Sequence, residues 1–292
     1  MTGEVLPKLG ELQHYTVNFV DDSTGVITFK SNNNICLYIE TYFKVLLNYY
    51  NCNKLQLNPE KSQLMLVGKP KKINPLSHIQ IKVGGEVIKN SLSVKILGSI
   101  ISNNLSLDRE LNNLVPIVNH RINQLEKLKS VTNFMTRLQF ANAFIMGKLT
   151  YMTTMYTSLK QEQIIKLHRI IMRTARCCIG HFCMYQTVES ILNKCKWSDA
   201  SAQIKISALK FCHNIYITKR PAMLYDKLKF NKRKCAQISF KEYPKGKLSL
   251  SQPLYKGTKW YNSLQLYTKG MSKKEFKRYL KRERNLIGNL GS

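Results

Sequence analysis

Asp21 and Asp22 are the residues whose type and spacing best suit them to chemistry. Adjacent carboxylates in a short turn present hard oxygen ligands, which fit a divalent cation such as Mg2+. Two such ions about 3.5–4 Å apart can activate an attacking hydroxyl and stabilise a leaving pyrophosphate. The same pair also fits an ordinary solvated turn, because Asp favours turns through its local hydrogen bonds. Both readings need the same local fold, so the neighbouring sequence has to decide. Lys61, within Leu57-Asn58-Pro59-Glu60-Lys61-Ser62, is a second candidate. A cation there could neutralise leaving-group charge or donate a proton; it also reads as a solvated turn lysine.

Two further clusters raise other chemistries. Cys177-Cys178, His181 and Cys183 suggest a metal knuckle, but the spacing is not the pair-plus-pair of a tetrahedral site, so no zinc is expected. Buried or surface thiols at a helix end are the plainer reading. The runs Lys232-Arg233-Lys234 and Lys273 to Arg284 are dense in cations, and the second interleaves them with Phe276 and Tyr279. Eight basic residues lie between Lys269 and Arg284 against two acidic ones. Lys273, Lys274, Lys277, Arg278, Lys281 and Arg282 would meet phosphates, while the aromatics stack on bases or anchor the helix. The alternatives are a solvated lysine-rich face or a nuclear-targeting segment.

The elements that position these groups follow from periodicity. Tyr15, Val17, Phe19 and Val20 lead into Asp21-Asp22-Ser23-Thr24-Gly25, and Val26, Ile27 and Phe29 follow, which predicts a β-hairpin. Ile35, Ile39, Tyr42, Phe43, Leu46, Leu47 and Tyr50 recur at helical spacing. A strand is expected over Gln63–Val67, a hairpin around Gly84-Gly85, and one last strand from Val94 to Ile101. Together these make antiparallel pieces with a helix covering one face. After Asp108 the period turns helical: Leu114, Val118, Ile122, Leu125; then Leu138, Ala141, Ile145, Leu149; then Ile164, Leu167, Ile171, Ala175. Helices are also expected over Val188–Lys194, Ala200–Ile217 and, mostly as charge, Lys273–Arg284. Between them the chain from Lys227 onward reads as polar and basic.

Charge is divided unevenly along the 292 residues. The total is +29, but residues 1–120 carry only +3 and residues 121–292 carry +26. A hydrophobic content of 43% marks a globular chain rather than a disordered one. The excess of cations points to a polyanionic partner. Met1–Gly10 shows no secretory signal, and the most apolar stretch, Phe134 to Tyr156, contains Arg137 and Lys148, too polar for a membrane span. A nuclear or cytoplasmic location, not secretion, is the expectation, with no membrane partner and reduced thiols. No internal repeat is visible.

Phe19-Val20-Asp21-Asp22 resembles the aromatic-x-Asp-Asp motif of reverse transcriptases, Leu57–Ser62 looks like the next palm motif with its lysine, and Val94-Lys95-Ile96-Leu97-Gly98 looks like the Leu-Gly turn that follows. The order is most similar to that of non-LTR (LINE-type) retrotransposon polymerases. Asn119-His120-Arg121-Ile122 and Gly147–Tyr151 sit where that family has its thumb, and Trp260-Tyr261-Asn262-Ser263-Leu264 looks like a short element near the end of such chains. The resemblance implies an α+β fold: a partial polymerase palm (antiparallel hairpins plus a helix) over 1–103, a helical thumb over 104–180, and a basic helical C-terminal region over 181–292. It implies RNA-directed DNA synthesis with Mg2+ on an RNA template and a DNA primer, with deoxynucleoside triphosphates as substrates. Asp21 would be a metal ligand, Asp22 its supporting partner, and Lys61 a neighbour of the triphosphate. Leu97 and Gly98 would hold the primer end, and Arg121 would contact nucleic acid. Family members carry another metal-binding aspartate on an earlier palm strand. The acids before Asp21 here are Glu4 and Glu11, so the chain is expected to be inactive alone, or to be a non-catalytic RNA/DNA-binding protein derived from a retroelement.

Overall fold

A computed structural model describes residues 14–28, 35–68, 76, 78–83, 85–180, 186–231, 237–243, 250–288 and 290. The chain forms two compact units, Met1–Ser106 and Leu107–Ser292. It is a mixed α+β protein, mostly helical, with small antiparallel hairpins.

The first unit opens with β1 (His14–Phe19) and β2 (Asp22–Ile27), paired antiparallel with Phe19 opposite Asp22, so that Val20 and Asp21 form a two-residue turn. Helix α1 (Ile35–Cys52) buries Ile35, Ile39, Tyr42 and Leu46. Its Tyr42 hydroxyl lies 3.0 Å from Thr16 Oγ1, and its Tyr50 hydroxyl bonds Ser23. Gly25 is what allows this approach, because a Cβ there would overlap the Tyr42 ring. Strands β3 (Gln80–Val83) and β4 (Glu86–Lys89) form the second expected hairpin, with Val83 opposite Glu86 (Gly84 lies outside the described residues), and they send Ile81, Val83 and Ile88 into a small core with Ile35, Ile39 and Leu66.

Two expectations for this unit are corrected. Gln63–Val67 forms no strand; its one ladder contact is a bridge from Leu64 to Asn90. The Asn90 side chain accepts from Leu66 N at 3.0 Å and so takes the donor a ladder would use. The apolar run Val94–Ile101 is not one strand but two, β5 (Ser93–Ile96) and β6 (Ser99–Ser102), paired with Ile96 opposite Ser99. Leu97 (φ 48°) and Gly98 (φ 83°) supply the turn, both in the left-handed region that matches the twist of a tight hairpin. The hairpins remain separate two-stranded sheets.

The second unit is built on the helical periods read above. Helix α2 (Asp108–Lys127) buries Leu111, Leu114, Val118, Ile122 and Leu125 along one stripe. Helix α3 (Phe134–Phe140) continues through a wide π turn (Ala141–Met146) into α4 (Gly147–Tyr151). The turn places Asn142 to accept from Trp197 Nε1 at 2.8 Å. Helix α5 (Gln161–Ile179) ends at Gly180, whose φ of 88° makes the left-handed cap. This core, begun at Leu107, runs past residue 180 through α6 (Val188–Cys195) to Ile204.

Helix α7 (Ala200–Thr218) belongs to this core at its start and to a second core at its end. The short α8 (Ala222–Tyr225) precedes β7 (Leu228–Asn231) and β8 (Gln237–Phe240), a hairpin where the sequence suggests only a polar, basic stretch. Leu228 and Ile238 are its buried residues. Helix α9 (Pro253–Asn262) carries Trp260, Tyr261 and Asn262 of the Trp260–Leu264 element, and Leu264 is buried just beyond it. Tyr261 is fully buried, and the Asn262 amide pairs with both backbone groups of Ile238 (3.0 and 2.7 Å), extending β8 as a strand would. Helices α10 (Lys273–Arg282) and α11 (Arg284–Gly288) close the unit. No helix of the described residues is long and apolar enough to cross a membrane.

Candidate functional site

The acidic turn is held from one side. Ser23, one residue past Asp22, donates to Asn18 Oδ1 at 2.8 Å and also bonds Tyr50 of α1. Val20, 91% exposed, stands at φ 57°, a conformation that costs a β-branched residue about 1–3 kcal/mol. Asp21 and Asp22 are both exposed at this tip. Their oxygens are of the right kind for Mg2+, and the two residues are consecutive, Asp21 in the turn and Asp22 opening β2. They account for only part of an octahedral shell. Among the described residues no group of three or more His, Cys, Asp or Glu side chains is gathered in one place.

Lys61 lies in a turn closed by Ser62 N to Pro59 O (3.0 Å) and by Asn58, which accepts from Lys61 N at 3.3 Å. Its side chain is exposed, with no hydrogen bond or ion pair to either aspartate. Leu97 and Gly98 are the exposed tip of the β5–β6 hairpin. These candidate residues thus lie on three separate turns.

In the second unit the cations divide into engaged and available. Arg121 is half-buried, donates to Gln124 Oε1 at 2.9 Å and lies 5.8 Å from the Phe144 ring centroid. Arg137 is 7% exposed and binds helix-end carbonyls: Nε donates to Cys178 O at 2.8 Å, and Nη1 to Lys129 O at 3.1 Å and to Thr132 O. Lys205 donates to Gly288 O and Lys256 to Thr157 O, each at 2.6 Å; burial holds both ammonium groups below the usual lysine value. These side chains contribute to the formal charge but work inside the fold.

Helix α10 is the opposite case. Ser272 and Glu275 cap it reciprocally (Ser272 N to Glu275 Oε2, 2.8 Å; Glu275 N to Ser272 Oγ, 3.3 Å). Phe276, Tyr279 and Leu280 are buried, whereas Lys273, Lys274, Lys277, Arg278, Lys281 and Arg282 are all exposed. Of the two roles open to its aromatics, base stacking or anchoring, the fold assigns anchoring. Arg282 also pairs with Glu283 at 2.9 Å. Lys232, Arg233 and Lys234 lie outside the described residues, as do His181, Cys183 and Cys235.

Three residues beside α10 escape sequence reasoning. His213 of α7 is 2% exposed, stacks on Phe276 with ring centroids 3.9 Å apart, and shares a 2.9 Å hydrogen bond between Nδ1 and the Tyr261 hydroxyl. Lys210, one turn before it, and Asn214, the next residue, line the same cleft. The Cys177-Cys178 pair packs in the core; burial, and then Glu126, pushes the Cys177 thiol up to about 11, while contact with Cys195, and then burial, raises Cys178. No protein-family model, no curated protein and no solved structure matches this chain.

Proposed function

We propose that this chain is the palm-and-thumb portion of a reverse transcriptase of the non-LTR retrotransposon kind, and that its own contribution is to grip the phosphate backbone of an RNA–DNA or RNA duplex. The observation that carries the binding reading is α10, which buries its aromatic face and leaves six cations in solvent. Cations displayed in this way neutralise phosphates and release counterions without reading bases. The polymerase reading rests on the order of the three palm-like motifs and on the turns that carry them. The hairpin tip at Val20-Asp21 carries two consecutive exposed acids, and Lys61 offers a cation. Mg2+ bound to those carboxylates would supply charge neutralisation at a transferred phosphoryl group. Nucleotidyl transfer to a primer 3′-end calls for a further palm aspartate of the family pattern. A retroelement-derived binding protein without catalysis shares the same cationic face and differs in one outcome, primer extension.

Binding is tested by fluorescence anisotropy of an RNA–DNA duplex over a salt series. Replacing Lys274, Arg278 and Lys281 by Gln should reduce the slope of log affinity against log salt by about 2–3, at about 0.9 for each phosphate no longer neutralised. Because these side chains are exposed, melting should stay within about 0.5 kcal/mol of the parent. An unchanged slope refutes the phosphate contacts. Primer extension by the chain supplied with a fingers and early-palm segment tests the rest: Asp21→Asn should abolish synthesis. If extension survives that change, Asp21 is a turn residue and nothing more.

A further inference from the structure

Helices α7 and α10 face each other across an open cleft of about 210 Å³, lined by Lys210, His213, Asn214, Lys273, Phe276 and Lys277. The two sets have the same spacing, 210, 213, 214 on one helix and 273, 276, 277 on the other, so each helix contributes one face. The aromatic pair His213 and Phe276 is buried and stacked. Lys210, Lys273, Lys277 and Asn214 are exposed. No acidic residue is among the lining groups.

The charges are mutually unfavourable as they stand. Loss of water around its ammonium, and then the charge of Lys277, hold Lys210 below the usual lysine value. Burial lowers His213, backbone hydrogen bonds with Met271 and Ser272 act against it, and the Lys273 charge adds the smallest part of the lowering. Like charges gathered in a concave site focus a positive potential that an anion relieves. The size of the cleft narrows the anion, since drug-sized ligands occupy about 300–1,000 Å³. This cleft suits one phosphate group rather than a whole nucleotide.

We propose that the α7–α10 cleft seats a single phosphate of the nucleic-acid backbone, held by the ammonium groups of Lys210, Lys273 and Lys277 with the Asn214 amide as a neutral donor. The proposal rests on the nucleic-acid reading above and sharpens it: one backbone phosphate is fixed in a formed site, while the rest of α10 makes looser contacts. Lysines act here as point charges converging on one anion.

The test uses the full chain and two double variants, K210Q/K277Q in the cleft and K274Q/K281Q outside it. In one arm, inorganic phosphate is titrated at constant ionic strength against chloride, and melting temperature is read. Phosphate should raise the melting temperature of the parent and of K274Q/K281Q, and leave K210Q/K277Q unmoved. In the other arm, duplex affinity at fixed salt should fall about tenfold more for K210Q/K277Q than for K274Q/K281Q, because the cleft variant gives up charge-assisted hydrogen bonds to one anchored phosphate. Equal phosphate effects in all three proteins overturn the seat, whether or not duplex binds. A cleft-specific phosphate effect with equal duplex losses overturns the backbone assignment and makes the ligand a free phosphate. If the parent binds no duplex at all, the broader reading fails, and the phosphate arm still decides the cleft.

Discussion

Arg137 offers a sharp test of the division between structural and binding cations. Its guanidinium sits at the carboxyl ends of two helical segments, donating to Cys178 O at the end of α5 and to Lys129 O and Thr132 O beyond α2. Helix ends leave carbonyls without partners, and cations stabilise them there. Cys178 is fully buried, so its carbonyl has no water to turn to if the arginine is removed. Lys129 is exposed and Thr132 half-buried, so water replaces much of what those two lose. An orphaned buried acceptor costs about 1–3 kcal/mol, and bonds from a charged donor lie at the upper end. Arg137→Met should therefore destabilise the second unit by about 3 kcal/mol, with one full penalty and two reduced ones. For a unit of this size that lowers melting by about 6–12 °C. Arg137→Lys keeps the charge but not the planar fork, and should lose about half as much. The assay is calorimetry with urea titration, joined to duplex binding at 15 °C, where both variants remain folded. Affinity should match the parent, because this cation faces carbonyls rather than solvent. A stability loss below about 0.5 kcal/mol, the size of an ordinary surface change, would refute the capping role. A loss of affinity in the folded variant would refute the division.

Two further outcomes follow from local geometry. Gly25→Ala places a methyl group in the Tyr42 ring and should break the Thr16–Tyr42 hydrogen bond. Overpacking of this kind costs about 1–3 kcal/mol. Amide exchange across Val17 and Thr24, partners in the β1–β2 ladder, should accelerate, and the double variant with Tyr42→Leu should restore protection; an unchanged rate in Gly25→Ala would show that α1 does not hold the hairpin. The thiols give a pH dependence. Burial, and then Glu126, raises Cys177 to about 11, and burial pushes Cys212 up to about 12. A thiol raised on folding stabilises below its unfolded pKa, and that stabilisation fades as pH rises through the folded value. Unfolding free energy should thus decline from about pH 9 toward pH 11. Peptide mapping after alkylation at pH 8 should find exposed Cys52 modified and Cys177, Cys178 and Cys212 spared; modification of the buried three in folded protein would contradict the packing.

The amphipathic helices were the most legible part of the chain, because one residue in three or four had to be apolar and was. Leu114, Val118, Ile122 and Leu125 lie buried on α2 in the order read from the sequence. The Asp21-Asp22 hairpin was legible from its turn chemistry. Val94–Ile101 differs from the single strand expected because a continuous apolar run fits one strand as well as two. The β7–β8 hairpin is not legible because each strand has four residues and buries one, Leu228 or Ile238, too few to show a period. In α10 the aromatics stand out among the charges, but local pattern leaves base stacking and anchoring equally open; burial of Phe276, Tyr279 and Leu280 decides it. Lys210 and Asn214 could not be found at all, since the cleft arises from two helices far apart in sequence. Local pattern predicts elements; it does not predict which cations a tertiary contact will draw inward.

That distinction bears on what the formal charge means. A net +26 over residues 121–292 looks like an undivided electrostatic field. In the fold, Arg137, Lys205 and Lys256 are tied to backbone carbonyls, and Arg173 is paired with Glu126 at 3.1 Å. Removing such side chains acts on stability, not on a ligand. The cations of α10 are different in kind, because the helix is held by its apolar face and by its Ser272–Glu275 cap, neither of which needs them. Their mutual repulsion destabilises the free protein and is relieved when phosphates approach, so ligand binding and folding stability are linked with the same sign. A duplex should therefore raise the melting temperature of the second unit, and raise it less as salt increases. A helix whose charges merely solvated the surface would show no such coupling.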